Sequence, residues 1–268
     1  MRRDRNLWLT AYSIVVYVFL FLPILILILF SFNASKHNFA WVAPTLRWYP
    51  RLFQNEELIG ALMVTLQVAL VAVIVSTVIG TLLGLGLTRL GRRTRGTSET
   101  LLLLPMVTPE IVMGISLLLF FGQLFNGKGS IQQISIAHIT FCISYVAVVV
   151  RARAANLDPQ LEEAARDLGS SAWGAFRFVT FPLLLPAVAA GAMLTFALSF
   201  DDLIVTTFNS GVGSSTLPIY IYSKIRFGVT PEINAISTII VSITAILILI
   251  AWRLGGLRGE TKSGVAGV

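Results

Sequence analysis

The sequence predicts an all-α integral membrane protein with six spanning helices, and three observations carry that prediction. Of 268 residues, 56% are apolar and only 12% are charged, about half the charged share usual in a soluble domain. The apolar residues gather in six runs, at 7–32, 61–87, 101–125, 131–150, 183–208 and 233–252. Each is long enough to cross a hydrocarbon core of ~30 Å at ~1.5 Å per residue. The basic residues lie in short groups between these runs rather than over one surface. The net charge of +7 therefore points to membrane topology, with lipid as a partner, and not to nucleic acid. The six runs leave no length for a soluble domain, so 1–268 reads as a single transmembrane domain.

Taken in order, the first run follows Arg2, Arg3 and Arg5 and is too long for the core of a cleaved signal peptide, so it reads as a retained span. The loop at 33–60 carries Trp41, Trp48 and Tyr49, residues that anchor at membrane interfaces and also offer a docking surface. In the second run Gly80 and Gly84 form a small-xxx-small pair suited to close helix packing. With the N-terminus inside, fourteen of the twenty Lys and Arg residues fall on the cytoplasmic side and six outside. The clearest marker is Arg89, Arg92, Arg93 and Arg95. Both termini are thus expected in the cytoplasm of a multi-pass protein. Cys142 is alone, and His37 and His138 have no motif partner, so no metal site is expected.

The connection at 151–182 is the most informative. Asp158 caps a helix whose first residue is Pro159, and Glu162 and Glu163 fall in its first turns, where the macrodipole favours them. Gly169 stops it, Ser170 or Ser171 starts a second short helix to about Val179, and Pro182 ends that helix and begins the fifth span. Two helices this short need a docking partner. Leu161, Ala164, Ala165 and Leu168 supply a small apolar face. Glu163-Ala164-Ala165, three residues, Gly169, nine residues, Val179, one residue and Phe181-Pro182 resemble the EAA loop of binding-protein-dependent ABC importer permeases. The resemblance implies the type I permease fold, with this loop as the coupling element. Glu163, Ala164, Ala165, Gly169 and Pro182 would then engage a dimer of ATP-binding subunits. The chain has no GxxxxGK[ST] motif, so ATP and Mg would be bound by that ATPase and no cofactor by this chain.

Carboxylates inside apolar spans point to function. In the fifth run Thr195, Ser199, Asp202 and Thr206 share one face of a continuous helix. Asp202 is therefore expected on the solute pathway and Asp201, ~100° away, in helix packing. Glu110 is a further pathway candidate, and Asn234, Thr238 and Ser242 stripe the last span. Ser199-Phe200-Asp201-Asp202, 217–223, 228–235 and 46–49 resemble the spermidine/putrescine permeases. That resemblance implies a polyamine solute, a second related permease, an extracytoplasmic binding protein and a bacterial inner membrane. Ferric iron, sulfate or phosphonate permeases share the loop, and an ATP-independent secondary transporter is a rival of another class. An intramembrane hydrolase would need a serine–histidine constellation, for which the sequence shows no sign. If the basic residues set the topology, a cysteine placed near Asn209 is labelled from outside and one near Arg95 is not; the opposite pattern would reverse the orientation.

Overall fold

The computed structural model describes residues 2–35, 40–125, 129–226, 228 and 230–259; His37 lies outside them. The described residues are helical apart from loops and one isolated bridge between Asn33 and Pro44. Among the described residues, four helices are long and apolar enough to cross a membrane: Leu7–Ser31, Glu56–Arg89, Ile131–Ala154 and Ala172–Phe200. A bent pair, Gly96–Val107 and Glu110–Leu124, makes a fifth if it is counted as one span. The last expected run coincides with a helix whose described apolar segment is Pro231–Ile246.

The chain divides into two units. The first comprises Met1–Ile59 and Ile221–Val268. In it α1 (Arg2–Ser31) and the short α2 (Trp48–Gln54) both pack on α12 (Pro231–Gly259). None of the apolar window of α1 is buried, so its circumference is left for lipid or another protein. The loop after α1 is organised by Asn33, whose amide donates to the Ala40 carbonyl at 2.7 Å and accepts from Val42 N–H at 2.9 Å. Trp48 donates its indole N–H to the Asn33 carbonyl at 2.7 Å and lies under the Arg47 guanidinium at 4.4 Å. Trp48 is thus a structural pin, while Trp41 stays exposed. On α12, Thr238 bonds back to the Asn234 carbonyl at 2.7 Å, and Ser242 is exposed.

The second unit, Gly60–Tyr220, is built around α6 (Ile131–Ala154), against which α3 (Glu56–Arg89) and α9 (Phe181–Phe200) pack. Close approach is set by glycine. A Cβ on Gly80 would stand 2.7 Å from Val146 Cβ, one on Gly84 2.7 Å from the Ala147 carbonyl oxygen, and one on Gly191 3.3 Å from Val146 Cγ1. The small-xxx-small pair is therefore the seam between the second and fourth spans.

Two expected spans are broken. The run at 101–125 is not one helix: α4 (Arg92–Val107) and α5 (Glu110–Phe125) meet at an angle of 99°. Pro109 has no N–H and holds Thr108 extended, at ψ 129°. The run at 183–208 stops at Phe200 and resumes as α10 (Ile204–Asn209) after Asp201–Leu203. α10 packs on α5 so closely that a Cβ on Gly114 would lie 2.7 Å from the Phe208 ring. Pro182, in contrast, does not separate two helices. α8 (Ala172–Ala175) passes through a π-helical turn, Phe176–Thr180, directly into α9. The Phe181 N–H bonds the Phe176 carbonyl five residues back, and that wider turn carries the chain past a proline that cannot donate.

Replacing Gly84 by leucine should force α3 off α6 at a cost of about 1–3 kcal/mol. The check is thermal denaturation of the purified protein in detergent. An unchanged midpoint would show that the seam is looser than these contacts imply.

Candidate functional site

The break in the fifth span is held by a buried polar cluster centred on His138, a residue of α6 that is 1% exposed. Its Nδ1 lies 2.7 Å from Ser199 Oγ on α9. Its Nε2 lies 2.9 Å from Thr206 Oγ1 on α10 and 3.3 Å from Asp202 Oδ2 in the break itself. The carboxylate of Asp202 accepts from the Thr206 hydroxyl at 2.7 Å, from Thr206 N–H at 2.8 Å and from Val205 N–H at 3.4 Å. Asp202 therefore caps the resumed helix. The Thr206 hydroxyl spends its proton on Asp202, so Nε2 has two acceptors before it and must carry a proton. Ser199 can donate to Nδ1 of a neutral ring or, by rotating its hydroxyl, accept from a charged one.

The burial of the two aspartates is the reverse of that expected. The stripe that put Asp202 on the pathway assumed one continuous helix, but the break intervenes, and the Asp202 side chain is only 7% exposed. Asp201, expected in packing, is exposed at the C-terminal end of α9. Ser199 and Thr206 are buried with His138 rather than lining an open face. Glu110 is exposed at the first position of α5, just beyond the break in the third span. The sequence reading missed His138 because it weighed the residue only as a metal ligand. A titratable side chain within an apolar span was the available signal.

Serine, histidine and aspartate are thus in contact after all. With Ser199 3% and His138 1% exposed, no substrate carbonyl reaches the hydroxyl, and the cluster is not a hydrolytic one.

The connecting loop forms as its residues predict as far as the start of α8. Asp158 accepts from Gln160 N–H at 3.0 Å and Pro159 opens α7 (Pro159–Asp167). Gly169 adopts φ +87°, the left-handed conformation that ends a helix and favours glycine. Ser171 caps α8 by accepting from Gly174 N–H at 3.1 Å. Glu163 and Ala164 are exposed, Ala165 is half-buried, Pro182 is exposed, and α7 has no buried residue. Leu168, at 90% exposure, leaves the apolar face open to a partner.

Residues 76–256, more than half of the chain, match the family described as binding-protein-dependent transport system inner membrane component. The chain belongs to this family. It is a multi-pass membrane transport component and not an enzyme. Among curated proteins it is 38% identical to the putrescine transport system permease protein PotI of Escherichia coli (strain K12) over 231 residues, 84% of this chain and 82% of the relative. It is 37% identical to the spermidine/putrescine transport system permease protein PotC of Haemophilus influenzae over 241 residues, 90% and 93% of the two chains. Its fold is that of a chain in the crystal structure of a bacterial ABC transporter that imports alginate, with a TM-score of 0.71 and 17% identity over 96% of this transport component and 97% of that chain.

Removing the imidazole by His138→Ala leaves a buried carboxylate short of one hydrogen-bond donor, a loss of about 1–3 kcal/mol. The yield of folded protein and its melting temperature in detergent should fall well beyond the effect of Asp201→Asn. Equal effects of the two substitutions would remove His138 from the centre of the cluster.

Proposed function

We propose that this chain is one of two related permease subunits of an ATP-driven importer and that its solute is a polyamine. The solute would be handed over by an extracytoplasmic binding protein. The observation that carries the reading is 36–38% identity, across 84–90% of the chain, to putrescine and spermidine/putrescine permeases. An exposed carboxylate at each span break is compatible with it. A charged side chain facing hydrocarbon is costly, so Asp201 and Glu110 face either water or a protein partner. In a water-filled route they would attract a cationic amine.

In this reading the protein works as follows. The binding protein docks on the outer side and both termini lie in the cytoplasm. α7, with Glu163-Ala164-Ala165 exposed, seats on a partner ATPase dimer, which binds ATP and Mg. Gly169 is the pivot that lets α7 and α8 hold two angles to each other. Movement reaches the fifth span through the continuous stretch Ala172–Phe200 and alters the break where Asp201 is exposed. Asp202, held against His138, keeps the break in shape, and Asp201 meets the solute.

Measurements on reconstituted complexes test this. Labelled putrescine uptake should be inhibited by spermidine and not by ferric iron; inhibition by iron alone would assign a different solute. Asp201→Asn should lower uptake per assembled complex by about tenfold or more, the effect of one lost charged hydrogen bond of ~1.5–3 kcal/mol. Asp202→Asn should chiefly lower the amount of complex assembled. The reverse result would return Asp202 to the pathway. Gly169→Asp should abolish uptake with the protein still in the membrane, and normal uptake would remove the coupling role of the loop.

A further inference from the structure

The residue beside the exposed Glu163 has a different role. Glu162 turns inward from α7 and is reached by two other elements. Arg89, the last residue of the second span, donates through Nη2 to both carboxylate oxygens of Glu162, at 3.0 and 3.2 Å. Thr180, in the π-helical turn that leads into the fifth span, donates its hydroxyl to Glu162 Oε2 at 3.4 Å. Among the described residues, every side-chain hydrogen bond or ion pair between α7 and the spans ends on this one carboxylate.

The setting makes that link more than a surface pair. α7 has no buried residue and does not fill the space beneath it. A cavity of about 410 Å³ separates it from the span ends, lined in part by Leu85, Leu157, Leu161, Val179 and Leu183, with Arg89, Glu162 and Thr180 on its wall. A helix that stands over a void is weakly held by packing. Its position then depends on the few polar contacts that cross the gap. Arg89 and Glu162 have side chains 63% and 28% exposed, so the pair adds little to global stability. Its consequence is mechanical. One guanidinium nitrogen shared between both oxygens of a carboxylate makes charge-assisted contacts that set the distance between the two elements.

We propose that Glu162 is a positioning residue, a strut through which displacement of α7 is passed to the second span at Arg89 and to the base of the fifth span at Thr180. The proposal rests on the coupling reading of the loop. It adds a second route beside the covalent one through Gly169, and it reaches a span that the loop does not join in sequence. Because the strut is an ion pair across a cavity, it can be reversed in sign without filling the gap or disturbing the helices.

The test uses the assembled importer in vesicles and reads solute moved per ATP hydrolysed. Glu162→Arg and Arg89→Glu, made singly, should each lower that ratio by about fivefold or more, the lower end of ordinary coupling between sites. The double exchange, Arg89→Glu with Glu162→Arg, should restore most of it, since the pair is rebuilt with opposite sense. Glu162→Gln, which keeps size and one acceptor, is the variant to use if the reversals do not assemble, and it should lower the ratio as well. A native ratio in Glu162→Gln, or a double exchange no better than the single variants, would overturn the strut. Gly169→Asp run alongside separates the two ideas: if it alone uncouples, the loop couples without the strut, and if it too behaves as native, the coupling reading itself fails.

Discussion

A helix interrupted at membrane depth must satisfy its freed backbone groups from within the protein, and this constraint governs the second unit. The fifth span breaks at Asp201–Leu203, and two of the amides freed there are taken up by one carboxylate. Asp202 accepts from Val205 and Thr206 N–H, which restarts the helix, and His138 lies against the same carboxylate. The third span breaks more simply, because Pro109 has no N–H to lose. The half-helices beyond the two breaks, α5 and α10, then pack on each other through Gly114 and Phe208. The His138 cluster adds to that packing a polar tie between α6 and α10.

The same physical device recurs at both ends of the fifth span. Of two adjacent acids, one can be tied inward while the other stays outward. At the break Asp202 is tied and Asp201 is exposed. In the loop Glu162 is tied and Glu163 is exposed. The inward member fixes geometry, and the outward member is left for a ligand or a partner. Identical chemistry at neighbouring positions thus divides into positioning and contact.

Much of this was legible in the residues. Span positions follow from apolar runs, the α7 cap from Asp158-Pro159, its end from Gly169, and the α3–α6 seam from Gly80 and Gly84, because each rests on local backbone chemistry or on one helical period. The break at 201–203 was not legible. Leu203 and Ile204 are apolar, no proline or glycine marks the interruption, and a 3.6-residue period carried across it assumes a helix that the structure does not continue. Pro109 did mark the other break, but an apolar run counted for length hides a bend. Pro182 misled in the opposite sense, since a π-helical turn absorbs it. His138 stayed silent because its partners, Ser199, Asp202 and Thr206, are brought to it only by the packing of α6 against α9 and α10.

The central claim is that Asp202 is sealed within the protein while Asp201 faces the route of a cationic solute. The direct measurement is chemical modification of a cysteine placed at each position, in a complex whose buried Cys142 has been replaced by alanine. A small water-soluble thiol reagent should modify Asp201→Cys in the assembled importer, and putrescine should slow that reaction; Asp202→Cys should remain unmodified until the protein is unfolded. Rapid, putrescine-protected modification at position 202 with none at position 201 would contradict the account.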